Sequence, residues 1–436
     1  ILLKFYNESE FKRLKQNCSV EVIGQALEKM GRSAKDASRK LATASTEQKN
    51  QWPSAMADAP DAQTEAILNA TRIDMKNGQE AGISSAMLDR LRLDEKRIQG
   101  ISNGLRHVVT LPDPVGHRLA EFRRPNGLDI EKVSVPIGVI ALIYESRPNV
   151  TVDATGLCLK AGNAVILRGG SEAIHSNLAL AKIIAEAGTQ AGMPEGAIQI
   201  IPWTGHDAVS KMLKMNQFID LVIPRGGERL IRAVVEQATM PVIKHYKGVC
   251  HIFVDETCDF DRACDIIENA KCQRPGVCNA LETLLIHRNA LPVFAPMIAK
   301  RLAGVEFHAD EAFRALVPQA IPATEEDWYC EYLALKLAVR TVDSIDEAIA
   351  HINKYGSGHS DCILTTNHEH AEQFLNEVDS ATVYVNASTR FTDGGEFGFG
   401  AEIGISTDKL HARGPMGLAE LTSYKYKVRG SGQIRA

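Results

Sequence analysis

The spacing of apolar residues predicts that the first quarter of the chain is helical. From about Ser19 to Thr110, apolar residues recur every three or four positions, which keeps them on one face of a helix. Two such sets are Val22, Ile23, Ala26, Leu27 and Met30, and Ala66, Ile67, Ala70 and Ile73. Trp52-Pro53 and Pro60 interrupt the pattern. Because proline cannot donate the helical hydrogen bond, we expect helices to end or kink there.

A polar hairpin is predicted after these helices. Arg118–Arg123 and Leu128–Val135 flank Arg124-Pro-Asn-Gly127, and Asn-Gly is a strong turn signal. The two strands are too polar to form a core, so we expect residues 118–135 to project as a ribbon that contacts a partner subunit. The strand-like tail Leu421–Val428 is expected to pair with the ribbon of a neighbouring copy.

Beyond the ribbon, short buried strands alternate with longer amphipathic helices. Strands are expected at Gly138–Tyr144, Ala164–Arg168, Ala197–Pro202, Phe218–Pro224 and Pro241–Lys244, with helices at Glu172–Ala191, His206–Met215 and Glu228–Thr239. A second unit has expected strands at His251–Val254, Leu281–His287, Leu335–Val342, Cys362–Thr365 and Thr382–Val385, with helices at Asp261–Lys271 and Ile345–Lys354. The alternation predicts an α/β fold: a doubly wound parallel sheet, which binds ligands at the carboxyl ends of its strands, and a second α/β domain.

Composition and charge narrow the classes of function. The 436 residues carry a net charge of -5 and a pI of about 6.3, which gives no overall attraction to nucleic acid or to an anionic membrane. No apolar run approaches the ~20 residues that a membrane span needs. Basic residues follow the apolar Ile1-Leu2-Leu3 instead of preceding it, the reverse of a secretory signal, so a cytoplasmic protein is expected.

The nine cysteines are odd in number and follow no framework spacing, so reduced thiols are expected and no metal site is predicted. Cys278 differs from the others because it lies in a turn marked by Pro275-Gly276, just before a buried strand. Backbone N–H groups of such a turn, with Lys271 and Arg274 nearby in sequence, would stabilise a thiolate. Position alone leaves two interpretations open: a catalytic nucleophile and a buried structural thiol.

Two glycine-containing turns predict a nucleotide site. Each follows a buried strand, opens a helix and combines close backbone approach, helix N-terminal N–H groups and an arginine, a combination that suits an anion. Neither has the Gly-x-Gly-x-x-Gly spacing. The candidate cofactor-binding residues are Arg168, Gly169, Gly170 and Ser171 in the first turn and Pro224, Arg225, Gly226 and Gly227 in the second.

The segment Tyr144–Val150 ends a third strand and belongs at the same edge of the sheet. Its Arg147 and Asn149 are candidates for binding an anion or stabilising an oxyanion. The alternative is a capped helix start, in which Asn149 makes only local hydrogen bonds.

Several segments resemble the gamma-glutamyl phosphate reductases, a branch of the aldehyde dehydrogenase superfamily. They are Val135–Ile140, Tyr144–Val150, Gly162–Gly170, Ile223–Gly227, Cys278–Thr283, His351–Asp361, Val385–Arg390 and Leu410–Pro415. The resemblance runs from about Gly24 to the end of the chain.

The resemblance implies NADPH-dependent reduction of L-glutamate 5-phosphate to L-glutamate 5-semialdehyde, with release of phosphate, in proline biosynthesis. Cys278 matches the catalytic cysteine of the family, whose thiolate attacks the acyl phosphate to give a thioester. Three parts are implied: N-terminal helices and an NADPH-binding domain in residues 1–250, a catalytic domain in 251–385, and a return to the cofactor domain with an oligomerisation tail in 386–436.

One departure from the wider superfamily sharpens the expected chemistry. Hydrolytic aldehyde dehydrogenases carry a general-base glutamate in a Glu-Leu-Gly-Gly-Lys motif, whereas the corresponding Lys244–Cys250 contains no carboxylate. A site that passes a thioester to hydride should not activate water to hydrolyse it. The sequence therefore favours reduction of an acyl phosphate over oxidation of an aldehyde to an acid.

The resemblance also bears on the choice of cofactor. Arg168 stands where the superfamily has an adenine-ribose lysine, and Ser171 stands where NAD-preferring members often carry glutamate. Keeping a cation and losing a carboxylate favours the 2'-phosphate of NADPH. Glu172 would weaken this argument if it turned inward.

The remaining expectations concern the oxyanion, the substrate and the partners. Asn149 and the backbone N–H of Cys278 or Asn279 are candidates for the oxyanion, and Arg147, Asn386 and Arg390 for the substrate carboxylate or phosphate. A homodimer or higher oligomer is expected, as is coupling to glutamate 5-kinase, which is fused before the reductase in some organisms. Two alternatives stay open: an acyl-CoA reductase, and a catalytically silent scaffold or regulatory subunit.

Overall fold

A computed structural model describes residues 20–435, which form two compact units. The predictions for residues 1–19 lie outside the described part. Unit 1 comprises the chain up to Ile243 together with residues 399–404 and 416–435, and unit 2 comprises residues 244–398 and 405–415. The first boundary lies seven residues before the expected one at 250, because Gly248 and Val249 already hydrogen-bond with residues of unit 2.

Helices make up the first part of unit 1, as expected. Its helices are Val20–Leu41, Thr46–Ala62, Thr64–Glu80, Ser85–Leu91, Glu95–Thr110, Val150–Lys160, Ile174–Gln190, His206–Met212 and Glu228–Gln237. Helices were predicted to end or kink at Pro53 and Pro60, and an end at either proline is wrong, because helix Thr46–Ala62 runs through both. A capping box starts this helix, and Trp52 and Met56 are buried against neighbouring helices, which outweighs the hydrogen bonds that the prolines remove.

A parallel sheet lies at the centre of unit 1. Its strands, in the order β5-β4-β3-β6, are Ile198–Ile200, Ala164–Gly169, Val139–Tyr144 and Leu221–Arg225. β3 is fully buried, as a central strand with helices on both faces requires. The strand expected at Pro241–Lys244 is reduced to a single bridge between Val222 and Val242.

An antiparallel sheet of three strands, which we call the arm sheet, also belongs to unit 1. It consists of β1 (Arg118–Arg123), β2 (Asp129–Pro136) and β16 (Thr422–Arg429), in that order. β16 pairs along its whole length with β2 of the same chain, and pairing of the tail with a neighbouring copy stays a prediction. Asn163 fixes the start of β16 by donating to the backbone oxygen of Leu421 at 2.8 Å.

Unit 2 is built on a seven-stranded parallel sheet with the order β10-β9-β11-β8-β7-β12-β13. From β7 to β13 these strands are Cys250–Val254, Leu281–His287, Glu306–Ala309, Ile321–Pro322, Lys336–Val342, Ser360–Leu364 and Thr382–Val385. The helices of unit 2 are Phe260–Cys272, Leu291–Arg301, Glu311–Leu316, Ile345–Tyr355 and His368–Glu377. Two short strands, β14 (Gly404–Ser406) and β15 (Gly414–Met416), pair with each other. The predicted α/β class is confirmed.

Three findings concern the described residues as a whole. None of their helices has the length and apolar character that spanning a membrane demands. Their eight cysteines form no disulfide bonds with one another. No group of three or more His, Cys, Asp and Glu side chains among them is arranged to hold a metal ion.

Candidate active site

Cys278 lies in the segment 273–280 of unit 2, which we call the nucleophile loop. The loop follows helix Phe260–Cys272, whose first turn is capped by the Asp259 side chain, and precedes β8. A turn closes it, with the N–H of Ala280 donating to the oxygen of Val277 at 3.1 Å, so Cys278 occupies a central position of that turn. The Cys278 side chain is partly exposed, as a nucleophile must be.

A buried ion pair joins the two ends of the nucleophile loop. The Lys271 ammonium donates to a Glu282 carboxylate oxygen at 2.7 Å and to the backbone oxygen of Leu281 at 2.8 Å. Both side chains are fully buried. Burial raises the pKa of Glu282 and lowers that of Lys271, while their mutual attraction opposes both shifts. The last turn of the helix is thereby fixed to the first residues of β8.

Breaking this pair on one side should destabilise the protein strongly. We expect Lys271→Met to cost about 3–5 kcal/mol because it leaves the Glu282 carboxylate buried without a counter-charge. Lys271→Met combined with Glu282→Gln removes both charges and keeps an acceptor for the N–H of Leu333, so it should recover most of that loss. Urea unfolding measures both variants. A double variant as unstable as the single one would contradict this account.

The backbone of Cys278 is in close contact with the segment that leads into β7. A Cβ at Gly248 would lie 1.8 Å from the Cys278 oxygen and 2.6 Å from its Cα, so only glycine fits. The N–H of Gly248 donates to the Glu331 carboxylate at 2.9 Å. Cys250 is buried, and burial raises its pKa, so it remains a thiol and donates to the Cys278 oxygen at 3.3 Å. Two cysteines therefore meet here in different roles.

Asn279 connects the nucleophile loop to residues 389–392. Its amide nitrogen donates to the backbone oxygens of Arg390 at 3.3 Å and Thr392 at 2.9 Å, and its amide oxygen accepts from the Arg390 guanidinium. Its backbone oxygen accepts from the Thr389 hydroxyl at 2.8 Å. The Asn279 side chain is thus committed to positioning, and its backbone N–H remains the group that could face an oxyanion.

A buried polar network supports residues 389–392. The Thr392 hydroxyl lies 2.6 Å from the Ser360 hydroxyl and 2.8 Å from the Tyr384 hydroxyl. His359 Nδ1 lies 2.8 Å from the Ser360 hydroxyl. Burial, with a smaller contribution from His245, lowers the pKa of His359 to about 3, so His359 is neutral at physiological pH.

The buried His359 should make stability depend on pH. Its pKa is about 3 when folded and about 6.5 when unfolded, so the unfolded state binds more protons between these values and stability falls as pH is lowered. We expect His359→Asn to reduce the difference in unfolding free energy between pH 6.5 and pH 5 by about 2 kcal/mol. Denaturant unfolding at the two pH values measures this. The exposed His368→Asn serves as the control and should leave the difference unchanged.

In unit 1, the two glycine turns lie at the carboxyl ends of β4 and β6, the two strands that flank β3. Arg168 is the second-last residue of β4, and its Nη2 donates to the Thr204 oxygen at 2.7 Å. Its Nε is buried and has no hydrogen-bond partner among the described residues, so this N–H is available to donate to a ligand. Burial lowers the pKa of Arg168, and Glu172 and Glu145 oppose that shift. A Cβ at Gly169 would lie 2.0 Å from the Asn177 amide nitrogen, so the turn packs tightly.

Two glutamate carboxylates accept hydrogen bonds from residues at this edge of the sheet. Glu172 turns inward: one oxygen accepts from the N–H of Ser146 at 2.5 Å and from its hydroxyl at 2.9 Å. Ser146 is in the left-handed region with φ of 44°, and the two bonds stabilise that conformation. Glu145 accepts from the N–H of Gly227 at 3.0 Å, at the start of helix Glu228–Gln237.

The other candidates from the sequence are placed as follows. Asn149 begins helix Val150–Lys160 and donates to the Asp153 carboxylate at 2.8 Å, and burial raises the pKa of Asp153 to about 6. Arg147 is exposed at the end of the Tyr144 strand. Asn386, in unit 2, exchanges two hydrogen bonds with the backbone of Thr365 through its amide. Its role as a substrate ligand stays a prediction.

Sequence reasoning missed the roles of three contributors to the nucleophile loop, and its expectation that Lys271 stabilises the Cys278 thiolate is replaced by a fully buried ion pair of Lys271 with Glu282. Gly248 and Cys250 gave no signal, because only the fold brings them to Cys278. The Lys271–Glu282 pair could have been predicted. Lys271 follows Ile267 by four positions on the buried face of its helix, and Glu282 lies within an apolar strand. A charged residue at a position of core periodicity predicts a buried partner of opposite charge.

Comparisons with known proteins match nearly the whole chain. The model of the aldehyde dehydrogenase family matches residues 15–321 and 331–425. The gamma-glutamyl phosphate reductase of Caldanaerobacter subterraneus is 57% identical over 94% of this chain and 99% of that protein. The same enzyme of Geobacter metallireducens is 54% identical over 95% and 99%. The crystal structure of gamma-glutamyl phosphate reductase from Thermotoga maritima has a TM-score of 0.92 at 47% identity, covering 94% of this chain and all of that one.

Family and fold therefore agree along nearly the whole chain, and the predicted aldehyde-dehydrogenase-like architecture is confirmed. The chain belongs to the aldehyde dehydrogenase family, and within it to the gamma-glutamyl phosphate reductases, oxidoreductases of proline biosynthesis.

Proposed function

We propose that this chain reduces L-glutamate 5-phosphate to L-glutamate 5-semialdehyde with NADPH, releasing phosphate, through a thioester on Cys278. The observation that carries the proposal is the nucleophile loop: a partly exposed thiol on a turn whose carbonyl is held by Cys250 and whose following amide is held by residues 389–392. Such fixing places the sulfur in one position before substrate arrives, which lowers the entropic cost of attack.

The chemistry follows from the groups at the loop. The Cys278 thiolate attacks the acyl carbon, a carbon–sulfur bond forms, and the carbon–oxygen bond to phosphorus breaks. The backbone N–H of Asn279 is directed by the anchored turn and would stabilise the oxyanion. NADPH, when bound, supplies the hydride that reduces the thioester. Collapse of the product then returns the thiol and frees the aldehyde.

The segment before β7 supports reduction over hydrolysis. Residues 244–250 contain no carboxylate, and the side chains of Lys244 and His245 are engaged by Asp408 and the backbone oxygen of Ile405. Glu331, which reaches this segment, accepts from the N–H of Gly248. Each of these groups is therefore engaged in a hydrogen bond to the backbone or in an ion pair, and none is left to activate water. A thioester beside them would persist long enough to be reduced.

The first glycine turn of unit 1 supports NADPH as the cofactor. Arg168 offers an unpartnered Nε and would hold a phosphate of the adenosine, and Ser171 begins the next helical turn with an exposed hydroxyl in place of a carboxylate. Glu172 turns inward, where its carboxylate accepts from Ser146 and attracts Arg168, so it weakens this support as the sequence argument requires. Gly227 faces open space beside Arg225, which leaves room for the pyrophosphate, whereas the space at Gly226 is filled by Glu145 and Leu230.

The expected partners remain proposals. The arm sheet exposes Leu119, Phe122, Tyr424, Tyr426 and Val428, each more than two-fifths accessible, which suits a second copy of the chain. Coupling to glutamate 5-kinase and a cytoplasmic location are retained as predictions from the sequence.

A phosphate-dependence assay tests the proposed function. Purified protein should oxidise glutamate semialdehyde with NADP⁺ only when inorganic phosphate is present, and coenzyme A should not replace phosphate. Mass spectrometry of protein incubated with L-glutamate 5-phosphate without NADPH should show a glutamyl thioester on Cys278. Turnover that requires coenzyme A would instead support an acyl-CoA reductase.

A further inference from the structure

The guanidinium of Arg390 spans the nucleophile loop. Its Nε donates to the Gln273 amide oxygen at 2.9 Å, and its Nη1 donates to the Asn279 amide oxygen. Gln273 opens the loop and Asn279 directly follows Cys278. The backbone of Arg390 is fixed as well, because its carbonyl accepts from Asn279. A cation is therefore held rigidly across the loop that carries the nucleophile.

No ion pair with a described residue neutralises Arg390. Its side-chain partners are two neutral amides, and within residues 20–435 no carboxylate forms an ion pair with Arg390 or Arg274. Two other partly buried arginines of unit 2 are paired, Arg413 with Asp379 and Arg340 with Glu347, whereas Arg314 donates to the Ala320 oxygen. Burial and then the charge of Arg274 lower the pKa of Arg390, while the Asp393 carboxylate opposes that shift. Two guanidinium groups of one loop region without a direct ion pair would attract an anion.

We propose that Arg390 and Arg274 form the subsite for the phosphoryl group that leaves when Cys278 is acylated. This inference rests on the proposed function and deepens it. Phosphate departs with the electron pair of the broken carbon–oxygen bond and takes a proton from solvent, and two guanidinium groups would stabilise the charge that develops on its oxygens. In the reverse direction, the same groups hold inorganic phosphate for attack on the thioester.

The position of the pair selects phosphate over the other anion of the substrate. The phosphoryl group is joined through one oxygen to the carbon that Cys278 attacks, whereas the α-carboxylate lies four carbon–carbon bonds away. Arg390 contacts the residue next to Cys278, so it is placed for the nearer group. The planar guanidinium also suits a ligand that presents several oxygens.

The test measures the reverse reaction with inorganic phosphate as the varied substrate. Arg274 is exposed, so Arg274→Gln should fold normally. We expect its KM for phosphate to rise by about 10-fold or more, with the KM for glutamate semialdehyde unchanged. Arg274→Lys should restore part of the loss. Sulfate should compete with phosphate in the wild-type protein and compete less well in Arg274→Gln. Arg262→Gln, an exposed arginine on the preceding helix, is the matched control.

Two outcomes would overturn the subsite: an unchanged KM for phosphate in Arg274→Gln, and a rise in the KM for the semialdehyde instead. If the unchanged KM for phosphate came with a shifted pH profile of Cys278 alkylation, Arg274 would be assigned to the thiolate. Wild-type turnover that needs no phosphate would contradict the proposed function itself, so the two failures are distinguishable.

Discussion

Cys278→Ala should lower phosphate-dependent oxidation of glutamate semialdehyde by about 10⁴-fold or more, because removing a covalent nucleophile leaves only binding and electrostatic assistance. The side chain is partly exposed and its backbone is fixed by other groups, so the variant should fold like the wild type. The measurement is kcat for the semialdehyde with NADP⁺ and saturating phosphate.

Cys272→Ala is the matched control for this substitution. Cys272 is also partly exposed and lies six residues earlier, at the end of the preceding helix. Burial raises the pKa of its thiol, so it lacks thiolate character and should be dispensable. Equal losses in the two variants would show that the assay reports folding. An active Cys278→Ala protein would revive the interpretation as a scaffold that has kept the fold.

Gly248→Ala should have the second largest effect, although the change adds only one methyl group. That methyl would lie 1.8 Å from the Cys278 oxygen, and the atoms in its way are backbone, which cannot rotate aside. The turn that carries the nucleophile must therefore shift. We expect kcat to fall by about 100-fold, the loss that a displacement of about 1 Å can cause in an active site.

Gly276→Ala separates this effect from a general intolerance of the loop. Gly276 belongs to the nucleophile loop, but a Cβ there meets nothing closer than the Leu333 oxygen at 3.8 Å. Its activity should stay close to that of the wild type. Circular dichroism and thermal unfolding check that both variants fold. Near-normal kcat in Gly248→Ala would show that the loop can relax away from the contact.

Most of the fold was predictable because strands and helices alternate along each unit, and apolar residues are spaced differently in the two. Strand β8 was predicted at its observed ends, and helix Ile345–Tyr355 to within one residue, since runs of buried residues bounded by turn signals leave little choice. The prolines of helix Thr46–Ala62 led to a wrong prediction of a helix end, because tertiary packing outweighs the low helix propensity of proline there. The pairing of β16 with β2 of the same chain was not predicted, since a strand does not encode whether its neighbour belongs to the same chain.

The candidate site was predictable only in part. Cys278 and the glycine turns were predictable because turn residues stand next to buried strands in the sequence. Gly248 acts through closeness to a residue thirty positions away, and no local pattern encodes such a contact. The inward turn of Glu172 depends on the left-handed conformation of Ser146, which the sequence around it does not specify.

The arm sheet has a consequence for solubility. Both of its outer strands, β1 and β16, are edge strands whose backbone could recruit further strands indiscriminately. β1 breaks its register between Arg118 and Ala120, and the irregular edge discourages extension. On β16, Lys425, Lys427 and Arg429 alternate with the apolar side chains. These basic side chains repel an approaching strand that is also positively charged. The sheet that exposes an apolar face is therefore protected against fibrillar aggregation.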